Sequence, residues 1–410
     1  MNEEQNLVIS QVKRGKNVFM TGAAGTGKSY TIGAIVDWAK LELNIAITSS
    51  TGTSAITIGG RTVHSFLGIG IAQKNAYQLY MITRQRFPKT IKKIKDLDIL
   101  VIDEISMVSA EILDKISEYM QYARKNKNPF GGVQMILCGD MCQLPPVNGD
   151  FCFNAGVWKD ANFICVELKK QMRQSSDIMF AKILNELRFG LCTDETFEIL
   201  NACKRPNFGE IEPTILYSKN IDVDSINERE FLKLVESGAQ KEVYKTIYSP
   251  EKNSKFYAES LKIPSELALC VGAQVVLTVN YSVENGLANG TRGMITEFTE
   301  DGPVVLFKNG EQIIITPYTY KDEADESLWC VATPLKLAYA MTIHKSQSMT
   351  LDAVVIDIGL GIFEYGQAYV ALSRVRDLQS VKIVNVSKTA FKTNPEVIQF
   401  YENISGKSLV

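Results

Sequence analysis

Short, unbroken apolar runs punctuate the first part of the chain. Residues 17–21 (NVFMT), 44–49 (NIAITS), 98–102 (DILVI) and 133–138 (VQMILC) are of this kind. Between the first two, residues 28–43 have helical spacing, with Ile32, Ile35, Val36 and Ala39 on one face. Strands that are apolar on both faces and separated by helices predict a parallel sheet covered on both sides. A second alternating set has its clearest strands at 214–217 (TILY), 353–358 (AVVIDI) and 381–386 (VKIVNV), with a helix-like run at 335–341. Between about 220 and 333 the texture changes. Strands at 272–279, 293–298, 304–307 and 312–316 are separated by Asn289-Gly290, Asp301-Gly302 and Asn309-Gly310, the pattern of local hairpins. The fold class expected is therefore α/β, with an all-β module inserted into its second half. The expected division is 1–165 and 166–410, with a further small insertion at 66–95, which is polar, basic and weakly patterned.

Composition narrows the classes. The 410 residues are 45% hydrophobic and 22% charged, which excludes a mostly disordered chain. The net charge of −2 argues against a tail-driven polyanion binder, yet a local basic groove still suits a nucleic-acid motor. Eight cysteines form no Cys-x-x-Cys pair, and His64 and His344 are the only histidines, so a zinc site is not expected. Dispersed thiols suit a reducing compartment. No secretory leader is legible and no apolar stretch reaches the roughly 18 residues of a membrane span. The expectation is an intracellular protein, cytoplasmic or nuclear, with no membrane partner.

The chemistry is concentrated after the strands. Gly22, Ala23, Ala24, Gly25, Thr26, Gly27, Lys28 and Ser29 match the phosphate-binding loop G-x-x-x-x-G-K-S, placed between a strand and a helix. Glycines let backbone N–H groups approach phosphates, and the helix N-terminus adds partial positive charge. Lys28 would reach the β- and γ-phosphates of ATP, and Ser29 would place its hydroxyl on Mg²⁺. Asp103 and Glu104 follow the third strand. Alone they would read as a helix N-cap pair for 110–123. Downstream of a phosphate loop, Asp103 becomes the metal carboxylate and Glu104 the group that activates water. Gln143, after the next strand, is a candidate γ-phosphate sensor.

Ordered segments then carry a family resemblance. TGAAGTGKS (21–29), SSTGTSAITIGGRTVHSFLGI (49–69), ILVIDEISMV (99–108), LCGDMCQLPPV (137–147), LKKQMRQ (168–174), VGAQVVLTVN with GLANGTRGMI (271–295), LKLAYAMTIHKSQSMTLD (335–352) and GQAYVALSRV (366–375) resemble the motifs of Pif-type helicases, the petite integration frequency family of superfamily 1B, in that family's order. The resemblance implies two RecA-like motor domains, a small wedge insertion and a small SH3-like insertion. It also implies ATP-driven movement on single-stranded DNA and unwinding of tailed or forked duplex, usually 5′→3′.

Residue by residue, the resemblance places Gln5 near the adenine. It makes Arg173 and Arg374 the arginines that the second motor domain points at the γ-phosphate. It places Thr51, Gly52, His64, Ser65 and Phe66 on the DNA track, with Phe66 able to stack on a base. It adds Asn289 and Thr291 of the NGTRG turn, and Thr342, His344, Lys345 and Ser346. From the residues alone, His64 serves equally as a structural histidine, NGTRG as a plain hairpin turn, and the basic 66–95 run as a solvated face. Ser348 stands where the family usually has glycine, and Met172 where an aromatic residue usually precedes the arginine. Two other functions stay open: a DNA-stimulated translocase that does not separate strands, and an adaptor that keeps the fold. Monomer against oligomer on DNA, RNA against DNA, and a role in repair, recombination, replication or telomere maintenance are undecided by the sequence.

Overall fold

Four strands of the first sheet are the expected apolar runs, because only side chains with no polar demand can be buried on both faces of a parallel sheet, and Arg61–Thr62 and Ile164–Leu168 join them at its two edges. In the computed structural model these are β1 (Val18–Gly22), β2 (Ile45–Ser49), β3 (Arg61–Thr62), β4 (Ile99–Asp103), β5 (Gln134–Cys138) and β6 (Ile164–Leu168). They run in the order β3-β2-β4-β5-β1-β6, and every neighbouring pair is parallel. The structure describes residues 1–410 apart from 71, 174–176, 204–212, 219–222, 283–284, 286, 308–309, 323–326 and 407–410. Asn309 of the third expected hairpin turn and Gln174 of the LKKQMRQ segment therefore lie outside the described residues.

The chain divides into two compact units. The first is Met1–Arg173 with Asp322–Asp325 and Gln399–Ser408; the second is Gln174–Lys321, Glu326–Ile398 and Leu409–Val410. The boundary expected at 165 falls inside β6, whose register with β1 runs from Val18 opposite Ile164 to Gly22 opposite Leu168. The first unit therefore extends to Arg173. It also takes the end of the C-terminal helix, since the Phe400 ring stacks on Phe153 with centroids 4.2 Å apart. Aromatic residues at the chain's end thus override proximity in sequence.

Within the first unit, α1 (Glu3–Lys13) and α2 (Lys28–Ala39) cover one face of the sheet. Val8, Val12, Ile32, Ile35 and Val36 meet Val18, Met20, Val101 and Ile136 there, all buried. Each such aliphatic side chain contributes about 1.5–3 kcal/mol when fully removed from water. Two short helices, α3 (Gly52–Thr57) and α4 (Val63–Leu67), follow β2 and β3. The weakly patterned insertion is helical: α5 (Ala76–Arg86) and α6 (Pro88–Asp96). Ile91 and Ile94 of α6 are buried while Lys89, Lys92 and Lys95 face solvent. The lysines masked a three-residue apolar spacing that is helical. Helix α7 (Ala110–Arg124) is capped by Ser109, not by the Asp103-Glu104 pair.

The second unit has its own parallel sheet, in the order Ala340–Thr342, Thr214–Tyr217, Val354–Ile358, Val381–Val386. Antiparallel strands fill the region of the expected β module. Five of them (Gln312–Ile314, Gly302–Phe307, Arg292–Thr299, Gln274–Leu277 and Leu335–Leu337) make one sheet, and smaller sheets of three and two strands accompany it. The helix expected at 335–341 is instead two strands, Leu335–Leu337 and Ala340–Thr342, in different sheets. Its apolar spacing fits either element, and pairing with Gln274–Leu277 and Thr214–Tyr217 decides. Among the described residues no helix is long and apolar enough to cross a membrane.

Candidate functional site

The phosphate loop joins β1 to α2 and is shaped by its glycines. Gly22, Gly25 and Gly27 have φ of 146°, 85° and 88°. A Cβ on Gly22 would stand 2.4 Å from the Leu168 carbonyl oxygen, and one on Gly27 would stand 2.7 Å from the Gln5 side-chain nitrogen. Gly22 therefore excludes a side chain on grounds of conformation and of space, and Gly27 on grounds of conformation, since the Gln5 side chain could move aside. Lys28 opens α2, and its ammonium donates to the carbonyl oxygens of Gly22 at 2.8 Å and Ala23 at 3.1 Å. The loop's carbonyls thus hold the ammonium over the cradle. Thr26 closes the loop from inside through its hydroxyl to the Ala23 carbonyl at 2.9 Å, and Ser29 is exposed.

Two other segments reach the loop within the same unit. Gln5 is buried, and its carbonyl oxygen accepts the Asn2 N–H at 3.0 Å in a capping box. The amide nitrogen of the same side chain is left to face Gly27. The backbone N–H groups of Met172 and Arg173 donate to the Gly25 carbonyl at 2.9 and 3.1 Å. Arg173 is therefore seated on the phosphate loop as part of the first unit, which corrects the expectation that the second unit carries it. The cause is the chain's return over the loop directly after edge strand β6.

Asp103 ends β4 and is buried. Its carboxylate accepts from Ser54 Oγ at 3.2 Å and from the Glu104 N–H at 2.9 Å. Burial first, then the neighbouring Glu104 charge, push its carboxyl up to about 6, against the pull of the Glu104 N–H, the Cys138 thiol and Lys28. Glu104 itself is buried and held at φ 52°, ψ 43°, a left-handed conformation that costs a non-glycine residue roughly 1–2 kcal/mol. The Ser50 hydroxyl, donating to the Glu104 carbonyl at 2.9 Å, helps hold that turn. Such strain concentrates where a side chain must be aimed, and nothing in the sequence pattern announces it. Gly139 opens the next loop beside this turn; a Cβ there would lie 3.0 Å from the Ile105 nitrogen. Gln143 follows on that loop, buried, with its N–H donating to the Asp140 carbonyl at 3.0 Å.

The donor set fits a triphosphate with a hard cation. Glycine-lined N–H groups, a helix N-terminus and an ammonium face one strand end, and a carboxylate and a hydroxyl supply the oxygen ligands that Mg²⁺ prefers.

The raised Asp103 pKa gives a prediction for the nucleotide-free protein. Between about pH 4 and pH 6 the native state binds more protons than the unfolded chain, so this residue's contribution to stability falls as pH rises. Above that window the desolvated carboxylate costs on the order of 2–3 kcal/mol. Asp103→Asn is therefore expected to raise the melting temperature at about pH 8 and leave it nearly unchanged at about pH 4. An equal change at both pH values in thermal melts would contradict the assignment.

The DNA-track candidates divide. In the first unit Thr51 caps α3 through the Ser54 N–H at 3.2 Å, and Gly52 is buried behind it. Ser65 is buried and accepts from Arg61 Nη2 at 3.1 Å. His64 is half-buried, and burial lowers its pKa, so it is neutral at pH 7. Phe66 is 4% exposed, so it is a core residue and its expected stacking on a base is corrected. In the second unit Thr342 caps the turn that follows it, accepting the Lys345 N–H at 3.1 Å. Lys345 Nζ pairs with Asp224 Oδ1 at 3.3 Å, and His344 is half-buried with its pKa lowered by burial. Ser346 is buried, its hydroxyl on the Ile343 carbonyl at 2.8 Å. Asn289 is buried in the NGTRG turn, and Thr291 accepts the Ala288 N–H at 3.0 Å. A Cβ on Gly290 would stand 2.1 Å from the Thr350 carbonyl, which presses this turn against the segment after Ser346. Ser348 adopts φ 67°, the conformation its usual glycine would take without strain.

Arg374 is 2% exposed. Its guanidinium donates to Val370 O at 2.8 Å, Ser373 Oγ at 2.7 Å and Ser346 O at 3.4 Å, all within the second unit.

Comparison with known proteins accounts for this arrangement. Residues 1–197 match the family model of PIF1-like helicases, and residues 258–298 match that of the DNA helicase Pif1 2B domain. The chain is 38% identical to the human ATP-dependent DNA helicase PIF1 over its whole length, and spans 65% of that protein. It is 34% identical to ATP-dependent DNA helicase Pif1 of Bdellovibrio bacteriovorus, across 99% of this chain and 92% of that one. A Bacteroides Pif1 solved with ADP-AlF4 superposes with a TM-score of 0.82 at 29% identity, covering 99% of this chain and 97% of that one. A Pif1 helicase from Bacteroides solved with ADP-AlF3 and ssDNA gives 0.70 at 30% identity, with the same coverage. The parallel-sheet units are thus RecA-like, and the chain belongs to the Pif1 family of helicases.

Proposed function

We propose that this chain is an ATP-hydrolysing motor that moves 5′→3′ along single-stranded DNA and separates the duplex ahead of it. The observation that carries this reading is the phosphate loop at the end of β1 together with a buried aspartate and a strained glutamate at the end of β4, with β5 between the two strands. The two α/β units are taken as the motor domains, with α5–α6 as the wedge.

Lys28 would exchange the Gly22 and Ala23 carbonyls for β- and γ-phosphate oxygens. Gln5 would read the adenine edge with its amide. Ser29 and Asp103 would hold Mg²⁺, which neutralises charge developing on the phosphate oxygens. Glu104, aimed by its left-handed backbone, takes the proton of the attacking water as the water oxygen bonds to the γ-phosphorus and the bond to the β–γ bridging oxygen breaks. Gln143 orients that water. Arg173 and Arg374 stabilise the charge of the transferring phosphoryl group.

For DNA, Thr51, Gly52, His64 and Ser65 in one unit, and Asn289, Thr291, Thr342, His344, Lys345 and Ser346 in the other, are proposed to contact phosphates and sugars. The exposed Lys345–Asp224 pair stabilises little, so a DNA phosphate displaces the carboxylate at small cost. The Bacteroides relative solved with both a nucleotide analogue and single-stranded DNA supports pairing these two ligands.

The test is strand separation on duplexes with a 5′ or a 3′ tail, with Lys28→Ala as control. ATP-dependent unwinding of the 5′-tailed duplex alone is expected. DNA-stimulated hydrolysis without unwinding would instead make the chain a translocase.

A further inference from the structure

Tyr401 lies on the C-terminal helix Pro395–Ser405, more than 250 residues from the loop that carries Gln143, and is 2% exposed. Its phenol oxygen is 2.6 Å from Thr21 Oγ1, 3.0 Å from the Met141 nitrogen and 3.2 Å from Asp140 Oδ1. The bonding directions follow from the groups. An N–H can only donate, so the phenol accepts from Met141, while its own proton goes to the Asp140 carboxylate. The Thr21 hydroxyl then donates to the remaining lone pair. One hydroxyl with all three valences used ties together two segments. Thr21 directly precedes the phosphate loop, and Asp140 and Met141 begin the turn that leads to Gln143. Asp140 Oδ1 passes the restraint on, accepting the Cys142 N–H at 3.2 Å.

We infer that Tyr401 is a positioning residue for ATP hydrolysis: its hydroxyl fixes the Gln143 loop against the phosphate loop. This rests on the proposed role of both loops at ATP. The neighbouring Phe400 separates positioning from packing. It stacks on Phe153 and lies 6.0 Å from the Phe19 ring, and it has no polar group to place either loop.

The experiment uses the full chain with saturating single-stranded DNA. Tyr401→Phe keeps the ring and removes the three hydrogen bonds. Its kcat for ATP is expected to fall about tenfold to a hundredfold, the scale of a small misplacement of reacting groups. KM and single-stranded DNA affinity are expected to stay within about twofold, since ground-state contacts remain. Phe400→Leu is expected to lower the melting temperature while keeping kcat. Asp140→Ala, which removes the acceptor, is expected to lower kcat alone but to add little in the Tyr401→Phe background, because both cut the same link. An unchanged kcat in Tyr401→Phe, or a loss matched by Phe400→Leu at equal melting temperature, overturns the inference. Undiminished hydrolysis by Lys28→Ala would overturn the ATP site itself and the inference with it, a result that does not involve Tyr401.

Discussion

Lys28→Ala is expected to abolish ATP hydrolysis, by at least about 10³-fold in kcat/KM, and strand separation with it. The ammonium stands at the mouth of the cradle, and the two carbonyls that hold it belong to the loop itself. Removing it takes away the one loop side chain that can follow charge as it moves onto the γ-phosphate. It also takes away the cation that opposes protonation of Asp103, so that carboxyl becomes still less acidic. The fold is expected to persist. Lys28 is half-buried and the sheet beneath the loop is apolar, so the core built on Val18, Met20 and Ile136 keeps its contacts. Steady-state hydrolysis with and without single-stranded DNA, beside a thermal melt, checks both halves. A folded variant with undiminished hydrolysis would refute the site.

Much of this was legible because parallel-sheet strands are short apolar runs and because a phosphate loop has few chemical solutions. The glycines of 22–27, Lys28 and the Asp103-Glu104 pair are dictated by backbone conformation and charge, and spacing exposes both. What stayed hidden depends on partners distant in sequence. Residues 335–341 have an apolar spacing compatible with helix or strand, and pairing with Gln274–Leu277 and Thr214–Tyr217 settles it. The stacking role expected of Phe66 is removed by its burial, since a sequence does not say which aromatic residues face solvent. Arg173 falls in the first unit rather than the second, a boundary obscured because the end of edge strand β6 is less apolar than the central strands. Tyr401 carried no signal at all: a tyrosine on a C-terminal helix is unremarkable until its hydroxyl is found between Thr21 and Asp140. Charge marks Glu104 in the sequence, whereas its strained backbone, the stronger mark of an aimed group, emerges only in the fold.

Arg374→Ala is expected to lower kcat for ATP by about 10³–10⁵-fold, the range of arginines that neutralise a transferring phosphoryl group. Nucleotide affinity is expected to change far less, because the interaction is made in the transition state. The side chain is also a structural tie, bonded to Val370, Ser373 and the Ser346 carbonyl, so a lower melting temperature is expected too. Arg374→Lys separates the two roles. It keeps the charge but loses the planar fork that bonds several oxygens at once, so it is expected to recover no more than about tenfold of the lost rate. The Ser346 contact gives the residue a further meaning. Ser346 belongs to the Thr342 turn proposed to grip DNA, and the Arg374 carbonyl also holds the Leu351 N–H at 2.8 Å. A guanidinium that leaves Ser346 to meet phosphate would release that turn, so nucleotide state and DNA grip would share one side chain. Stimulation of hydrolysis by single-stranded DNA is therefore expected to vanish in Arg374→Ala, measured as the ratio of rates with and without DNA below the melting temperature. A variant that keeps both its rate within about tenfold of the parent and its stimulation would show that Arg374 only packs the second unit.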